Sequence, residues 1–234
     1  MTASSSDRGC TVTTHDRLVH LRWDGTRANA LGADRYDVLV ETLQRLDEGH
    51  VLLVTAAGRH FSAGQDLEEW NHGLSAGMTA QILRRGTDAV LGLLETPATV
   101  VVGVNGAAVG GGALVAAAAD LVVLADDARL RVPELELGMP LGASVLARLV
   151  GNPAARRLSL TGAWCPAREV AVHGGVEVVE PPSVLERATE LARRCLDQDP
   201  VARAAARNLF GDGERRRVAA LYRAEVEATL RLFS

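Results

Sequence analysis

The segment from Ala98 to Ala119 constrains the fold most, because only Thr99 and Asn105 interrupt its apolar run. Roughly twenty apolar residues with Gly106 and Gly110 at GxxxG spacing fit a packing transmembrane helix. The internal pattern argues against one. Val100, Val101, Val102 and Val104 are β-branched and favour a strand. Gly110, Gly111 and Gly112 then break the run before an alanine-rich, helix-favouring piece from Ala113 to Ala119. Leu, Ile and Phe are nearly absent, and no arginine flanks the run closely. The segment therefore reads as a buried strand, a turn and a buried helix, with no membrane partner.

Strands and helices alternate around this unit. Leu18 to Trp23, Val51 to Thr55 and Leu121 to Leu124 read as strands. Between the first two, Tyr36, Leu39, Val40, Leu43 and Leu46 fall on one helical face. Another helix is predicted from about Thr79 to Glu95, ending before Pro97. Beyond Gly142 the pattern is mainly helical, with Pro153, Pro166 and Pro200 at helix starts. The last helix carries Val218, Tyr222, Val226, Leu230 and Phe233 on one side, an apolar stripe that predicts a subunit contact. A chain of 234 residues, 47% hydrophobic and 23% charged, can bury a sizeable core. The expected division is a disordered lead-in over 1–14, an α/β core over 15–180 and a helical, oligomer-forming region over 181–234.

Composition removes whole classes of chemistry. All 25 residues of the Lys+Arg count are arginine, which excludes a Schiff base, a P-loop lysine and a lysine general base. A net charge of −4 and 3% aromatic residues argue against a nucleic-acid partner. Cys10, Cys165 and Cys195 are widely spaced without a CxxC, so neither a disulfide framework nor a metal site is expected. The polar start lacks the apolar stretch of a signal peptide, which makes a reducing, cytoplasmic setting the default expectation. GxSxG, HExxH, GxxxxGK[ST] and a strand-associated GxGxxG are absent, and no two of the 6 histidines sit at ligand spacing. The arginine clusters at 84–85, 156–157, 193–194 and 215–217 read as solvated or subunit-contacting faces.

Two glycine turns and a carboxylate remain. The first turn runs from Gly58 to Leu67 (GRHFSAGQDL), just after a strand; the second runs from Asn105 to Gly112 (NGAAVGGG), between a strand and a helix. Each offers backbone N–H groups where glycine lets a ligand approach closely. The second also opens a helix, whose dipole favours negative charge. Two such donors aimed at one point would make an oxyanion hole.

Val104 to Asp120 (VNGAAVGGGALVAAAAD), followed by Ala125 to Gly138 (ADDARLRVPELELG), resembles the enoyl-CoA hydratase/isomerase (crotonase) superfamily. Phe61 to Leu67 (FSAGQDL), Thr26 to Leu31 (TRANAL), Leu160 to Gly162 and Val176 to Val179 resemble it too, in the family's order. The resemblance implies a crotonase-like spiral of ββα units with a C-terminal helical region, assembled as a homotrimer or hexamer. It implies an acyl-CoA thioester ligand, or one on an acyl carrier protein, and no cofactor beyond that CoA. The thioester oxygen would be held by the backbone N–H groups of Gln65 and Gly111. Arg27, Ala28, Ala30, Ala63, Asp66, Gly110 and Leu114 would line the substrate, with Arg27 and Arg59 as candidate phosphate partners.

The acid–base residues depart from the hydratase pattern. Family hydratases carry a glutamate two residues after the glycine triplet and another after a proline; here these positions are Leu114 and Glu134. Hydration needs a water oriented and deprotonated while a proton reaches the α-carbon, and leucine can do neither task. Moving a proton from C2 to C4 of a 3-enoyl thioester needs one base. The expected activity is therefore single-glutamate isomerisation through an enolate, with Glu134 catalytic. Hydration, decarboxylation, retro-Claisen cleavage, thioester hydrolysis and non-catalytic acyl-CoA binding are the alternatives. A helix-entry carboxylate is the other reading of Glu134, and Asp120 reads as structural. Glu136 reads as a surface ion pair, while Glu68, Glu69 and His72 are candidates to replace the missing acid.

Overall fold

The computed structural model describes the main chain of residues 2–66, 68 and 76–233, and side chains of the same residues except 2–7 and 76–79. The strands are β1 (Thr2–Asp7), β2 (Cys10–His15), β3 (Leu18–Trp23), β4 (Val51–Ala56), β5 (Thr99–Val104) and β6 (Ala107–Val109). Then come β7 (Leu121–Ala125), β8 (Arg129–Arg131), β9 (Cys165–Pro166) and β10 (Val176–Val179). The helices are α1 (Ala33–Leu43), α2 (Ala76–Glu95), α3 (Gly111–Ala118) and α4 (Ala143–Thr161). Three more follow: α5 (Ala167–Val172), α6 (Val184–Leu196) and α7 (Pro200–Leu232).

A seven-stranded sheet runs in the order β1-β2-β3-β4-β5-β7-β10. From β3 to β10 every neighbour is parallel, and all six residues of β5 are buried, as both-face coverage by helices requires. After each central strand the chain makes a short extended step into a second layer before its helix. Those steps pair as Leu31 with Gln65, Ser62 with Ala108, β6 with β8 and β8 with β9. Repetition of strand, short strand and helix is the expected ββα spiral. The apolar run of 98–119 is split accordingly into β5, β6 and α3, and among the described residues no helix is long and apolar enough to cross a membrane.

Three expectations are revised. Residues 1–14 do not form a disordered lead-in: β1 pairs with β2 along its whole length, and β2 pairs with β3. Their turn is Arg8-Gly9, with φ of +50° and +75°, the left-handed pair that a two-residue hairpin needs. The terminal stripe is covered largely within its own chain, so its apolar character does not by itself call for a second subunit. Val218, Tyr222 and Val226 are 4%, 2% and 6% exposed because α7 folds back on α2 and α4 of the same chain. Arg215, expected with its cluster on a solvated or subunit-contacting face, is buried and donates to the Arg207 carbonyl and to Asn208.

The prolines act as expected. Pro200 opens α7 behind Asp199, whose carboxylate accepts from the Ala202 N–H at 2.8 Å, and Pro166 immediately precedes α5. Pro153 restarts α4 after a break at Gly151.

One turn holds a concentration of strain next to the second layer. Arg27, Ala28 and Asn29 have φ of +50°, +51° and +56°, a left-handed run costing about 1–2 kcal/mol per residue. Asn29 offsets it. Its Oδ1 accepts from the Gly25 N–H at 2.7 Å, its Nδ2 donates to the Ala57 and His60 carbonyls at 2.9 Å each, and its own carbonyl accepts from Ser62 Oγ. Asn29→Ala loses the three side-chain bonds in a fully buried place. Its expected cost is roughly 2–4 kcal/mol of unfolding free energy by denaturant titration.

Candidate active site

The two glycine turns meet through their main chains. Gly64 (φ +84°) and Gly110 (φ +51°) adopt conformations open to glycine, and a Cβ on Gly64 would lie 2.8 Å from the Val109 carbonyl oxygen. Any side chain there would force the turns apart. Leu31 donates to the Gly64 carbonyl at 2.7 Å and accepts from the Asp66 N–H at 3.2 Å. That parallel bridge uses the groups on either side of Gln65, so the N–H of Gln65 points the other way. Gly111 opens α3, where first-turn N–H groups have no acceptor within the helix.

Gln65, Gly111, Leu114 and Glu134 line one small cavity of about 50 Å³, joined there by Tyr36 and Tyr222. Gly110 borders it, since a Cβ on that residue would meet Glu134 Oε1 at 2.8 Å. The candidate hole residues, the candidate base and the leucine that stands for the missing acid are thus in one place. The remaining candidates form the neighbouring rim. The Ala63 N–H donates to the Ala28 carbonyl at 3.0 Å, and Ala30 accepts from Arg35 Nη1 at 2.6 Å. Arg27 forms ion pairs with Asp66 at 2.9 Å and Glu68 at 2.8 Å, whereas Arg59 is exposed.

Glu134 sits in the 3-10 turn Glu134–Leu137 and is 7% exposed. Burial pushes its carboxyl up to about 8, against the smaller pull of its own backbone N–H and of Arg131; Glu136 adds to the rise. Oε2 is buried without a hydrogen-bond partner among the described residues. A carboxylate present to cap its own turn would be held low by the dipole, so burial has won here. Glu136 is exposed and pairs with Arg131 at 2.5 Å. Asp120 accepts from the Val100 N–H at 2.9 Å and from Arg207 at 2.7 Å, tying α7 to the sheet.

Of the candidates to replace the missing acid, Glu68 is exposed on Arg27, while Glu69 and His72 lie outside the described residues. Two site residues escaped the sequence reading. Tyr36 and Tyr222 are the chain's 2 tyrosines, and each stands in a periodic apolar face that reads as core. Their hydroxyls were the only available signal, because a buried phenol needs a polar partner. Tyr222 has one in Thr87, and burial together with Tyr36, Glu134 and Glu225 nearby pushes its ionisation well above the usual range.

Two tests follow from this geometry. Gly64→Ala is expected to cost about 1–3 kcal/mol and to separate the turns, read by thermal unfolding. Because folding raises the pKa of Glu134, its contribution is fully present below pH ~4.5 and is lost as pH rises to about 8. Glu134→Gln is therefore expected to unfold at a higher temperature than the parent at pH 9, with the difference closing below pH ~4.5.

The chain matches the family model for enoyl-CoA hydratase/isomerase over residues 19–233. It is 33% identical over 183 residues to the short-chain-enoyl-CoA hydratase of Clostridium acetobutylicum, covering 74% of this chain and 69% of that one. It is 34% identical over 184 residues to the (7aS)-7a-methyl-1,5-dioxo-2,3,5,6,7,7a-hexahydro-1H-indene-carboxyl-CoA hydrolase of Mycobacterium tuberculosis, covering 77% and 74%. The crystal structure of an enoyl-CoA hydratase/isomerase from Mycobacterium paratuberculosis aligns with a TM-score of 0.84 at 25% identity, over 96% of this chain and 93% of that one. With the ββα spiral and the paired glycine turns already in place, these matches establish that the chain belongs to the enoyl-CoA hydratase/isomerase (crotonase) family.

Proposed function

We propose that this family member moves the double bond of a 3-enoyl thioester into conjugation, with Glu134 as its single base. The observation that carries this reading is that Leu114 and Glu134 line one small cavity, where Glu134 is the carboxylate among the described lining residues. The ionised carboxylate removes a proton from C2. Electron density moves onto the thioester oxygen, and the resulting dienolate is held by the N–H groups of Gln65 and Gly111. The protonated Glu134 then returns the proton at C4, giving the 2-enoyl thioester with atoms and charge balanced. A carboxyl raised to about 8 suits both steps, being a stronger base than an exposed glutamate and still able to give the proton back.

The substrate is a CoA thioester whose nucleotide runs along the main chain of 27–30 and 63–66, and no further cofactor takes part. Arg27 would exchange its Asp66 and Glu68 partners for a phosphate, and Arg59 is the second candidate. A thioester on a carrier protein would use the same cavity.

Purified protein is to be given 3-enoyl-CoA and crotonyl-CoA in parallel. Isomerisation is expected to exceed hydration, and Glu134→Gln is expected to slow it by about 100-fold or more. Hydration as fast as isomerisation overturns the isomerase assignment, and binding without any turnover favours a non-catalytic acyl-CoA-binding subunit. The base must be ionised, so kcat/KM is expected to rise tenfold per pH unit below about 8 and to level above it. That limb is expected to vanish in Glu134→Gln.

A further inference from the structure

The placement of one phenol goes beyond the two-donor hole. Tyr36 lies on α1 and is 3% exposed, with its hydroxyl delivered between α2 and α3. A Cβ on Gly111 of α3 would meet Tyr36 Oη at 2.4 Å. A Cβ on Gly86 of α2 would meet the same residue at Cζ and Oη, 3.2 and 3.3 Å away. Two helices therefore present glycine to a single ring, and at Gly111 it is the hydroxyl oxygen that occupies the side-chain space. One residue earlier, the matching space at Gly110 is filled by Glu134 Oε1 at 2.8 Å. The carboxylate and the phenol thus stand against consecutive residues, Gly110 and Gly111, at the opening of α3.

We propose that the Tyr36 hydroxyl is a third hydrogen-bond donor to the thioester oxygen, acting with the main-chain groups of Gln65 and Gly111. The proposal rests on the thioester reading above. Its chemistry is selective for the reaction rather than for binding. A neutral phenol donates to both a carbonyl and an enolate, but its hydrogen bond to the charged acceptor is roughly twice as strong. The help is therefore greatest once C2 has lost its proton. A ring present only to fill space would be replaced without loss by phenylalanine, and that difference provides the test.

Tyr36→Phe, Glu134→Gln and the parent are each to be saturated with crotonyl-CoA carrying ¹³C at the thioester carbonyl. The carbonyl stretch is then read by isotope-edited infrared spectroscopy, with thermal unfolding as the check on folding. In the parent the stretch is expected to fall below its value in solution. Tyr36→Phe is expected to recover a large part of that fall, and Glu134→Gln to leave it in place. In the isomerisation assay Tyr36→Phe is expected to lower kcat about 10- to 100-fold with KM within about threefold. A fall in the parent that persists unchanged in Tyr36→Phe overturns the proposal alone. A parent that binds crotonyl-CoA without any fall overturns the proposal and the thioester site together. A Tyr36-dependent fall without isomerase turnover upholds the hydroxyl's contact and removes only the isomerase reading.

Discussion

A Cβ on Gly64 would press on the Val109 carbonyl at 2.8 Å, and one on Gly110 would lie 3.9 Å from the Gly64 Cα. That contact between two bare main chains is what the site depends on. It sets the Gln65 turn against the start of α3, so Gln65 and Gly111, from two distant parts of the chain, line one small space. The second-layer bridges around it, Leu31 with Gln65 and Ser62 with Ala108, fix the register of both turns. Asn29 holds the strained turn at 27–29 against the same layer, so part of the stability of the core is spent on shaping the rim.

Within that frame the cavity is mostly apolar, and this gives the one carboxylate among its described lining residues its character. Glu134 shares the space with Leu114, and its Oε2 has no hydrogen-bond partner among the described residues. Desolvation raises the carboxyl's basicity at a cost to folding above neutral pH. The same low polarity strengthens any hydrogen bond to an oxygen that gains negative charge there. The proposed base and the proposed hole would thus share one environment, an apolar pocket with few polar groups.

Much of this was legible in the chain. Gly110, Gly111 and Gly112 marked a strand-to-helix turn because they broke an otherwise continuous apolar run. The motifs around Asn29, Gln65, Gly111 and Glu134 carried the family resemblance in order. The hairpin at Arg8-Gly9 was missed because its short alternation, Cys10 and Val12, is hidden in a serine- and threonine-rich stretch. The stripe on α7 was read correctly as apolar but referred to another subunit, because periodicity identifies a face to be buried without naming what buries it. Here α2 and α4 of the same chain do so.

The sequence by itself determined which local conformations the chain could adopt and which chemistry it lacked. Its β-branched run, its glycines and prolines, its absent lysine and the leucine at 114 are properties of single positions, readable without a partner. Only the tertiary structure decided which of those positions meet. It put Tyr36 from α1 and Tyr222 from α7 beside Glu134, and it turned an ordinary glutamate into one titrating near 8. Burial and distance are properties of residues far apart in the chain, and they exist only once the two glycine turns have closed on each other.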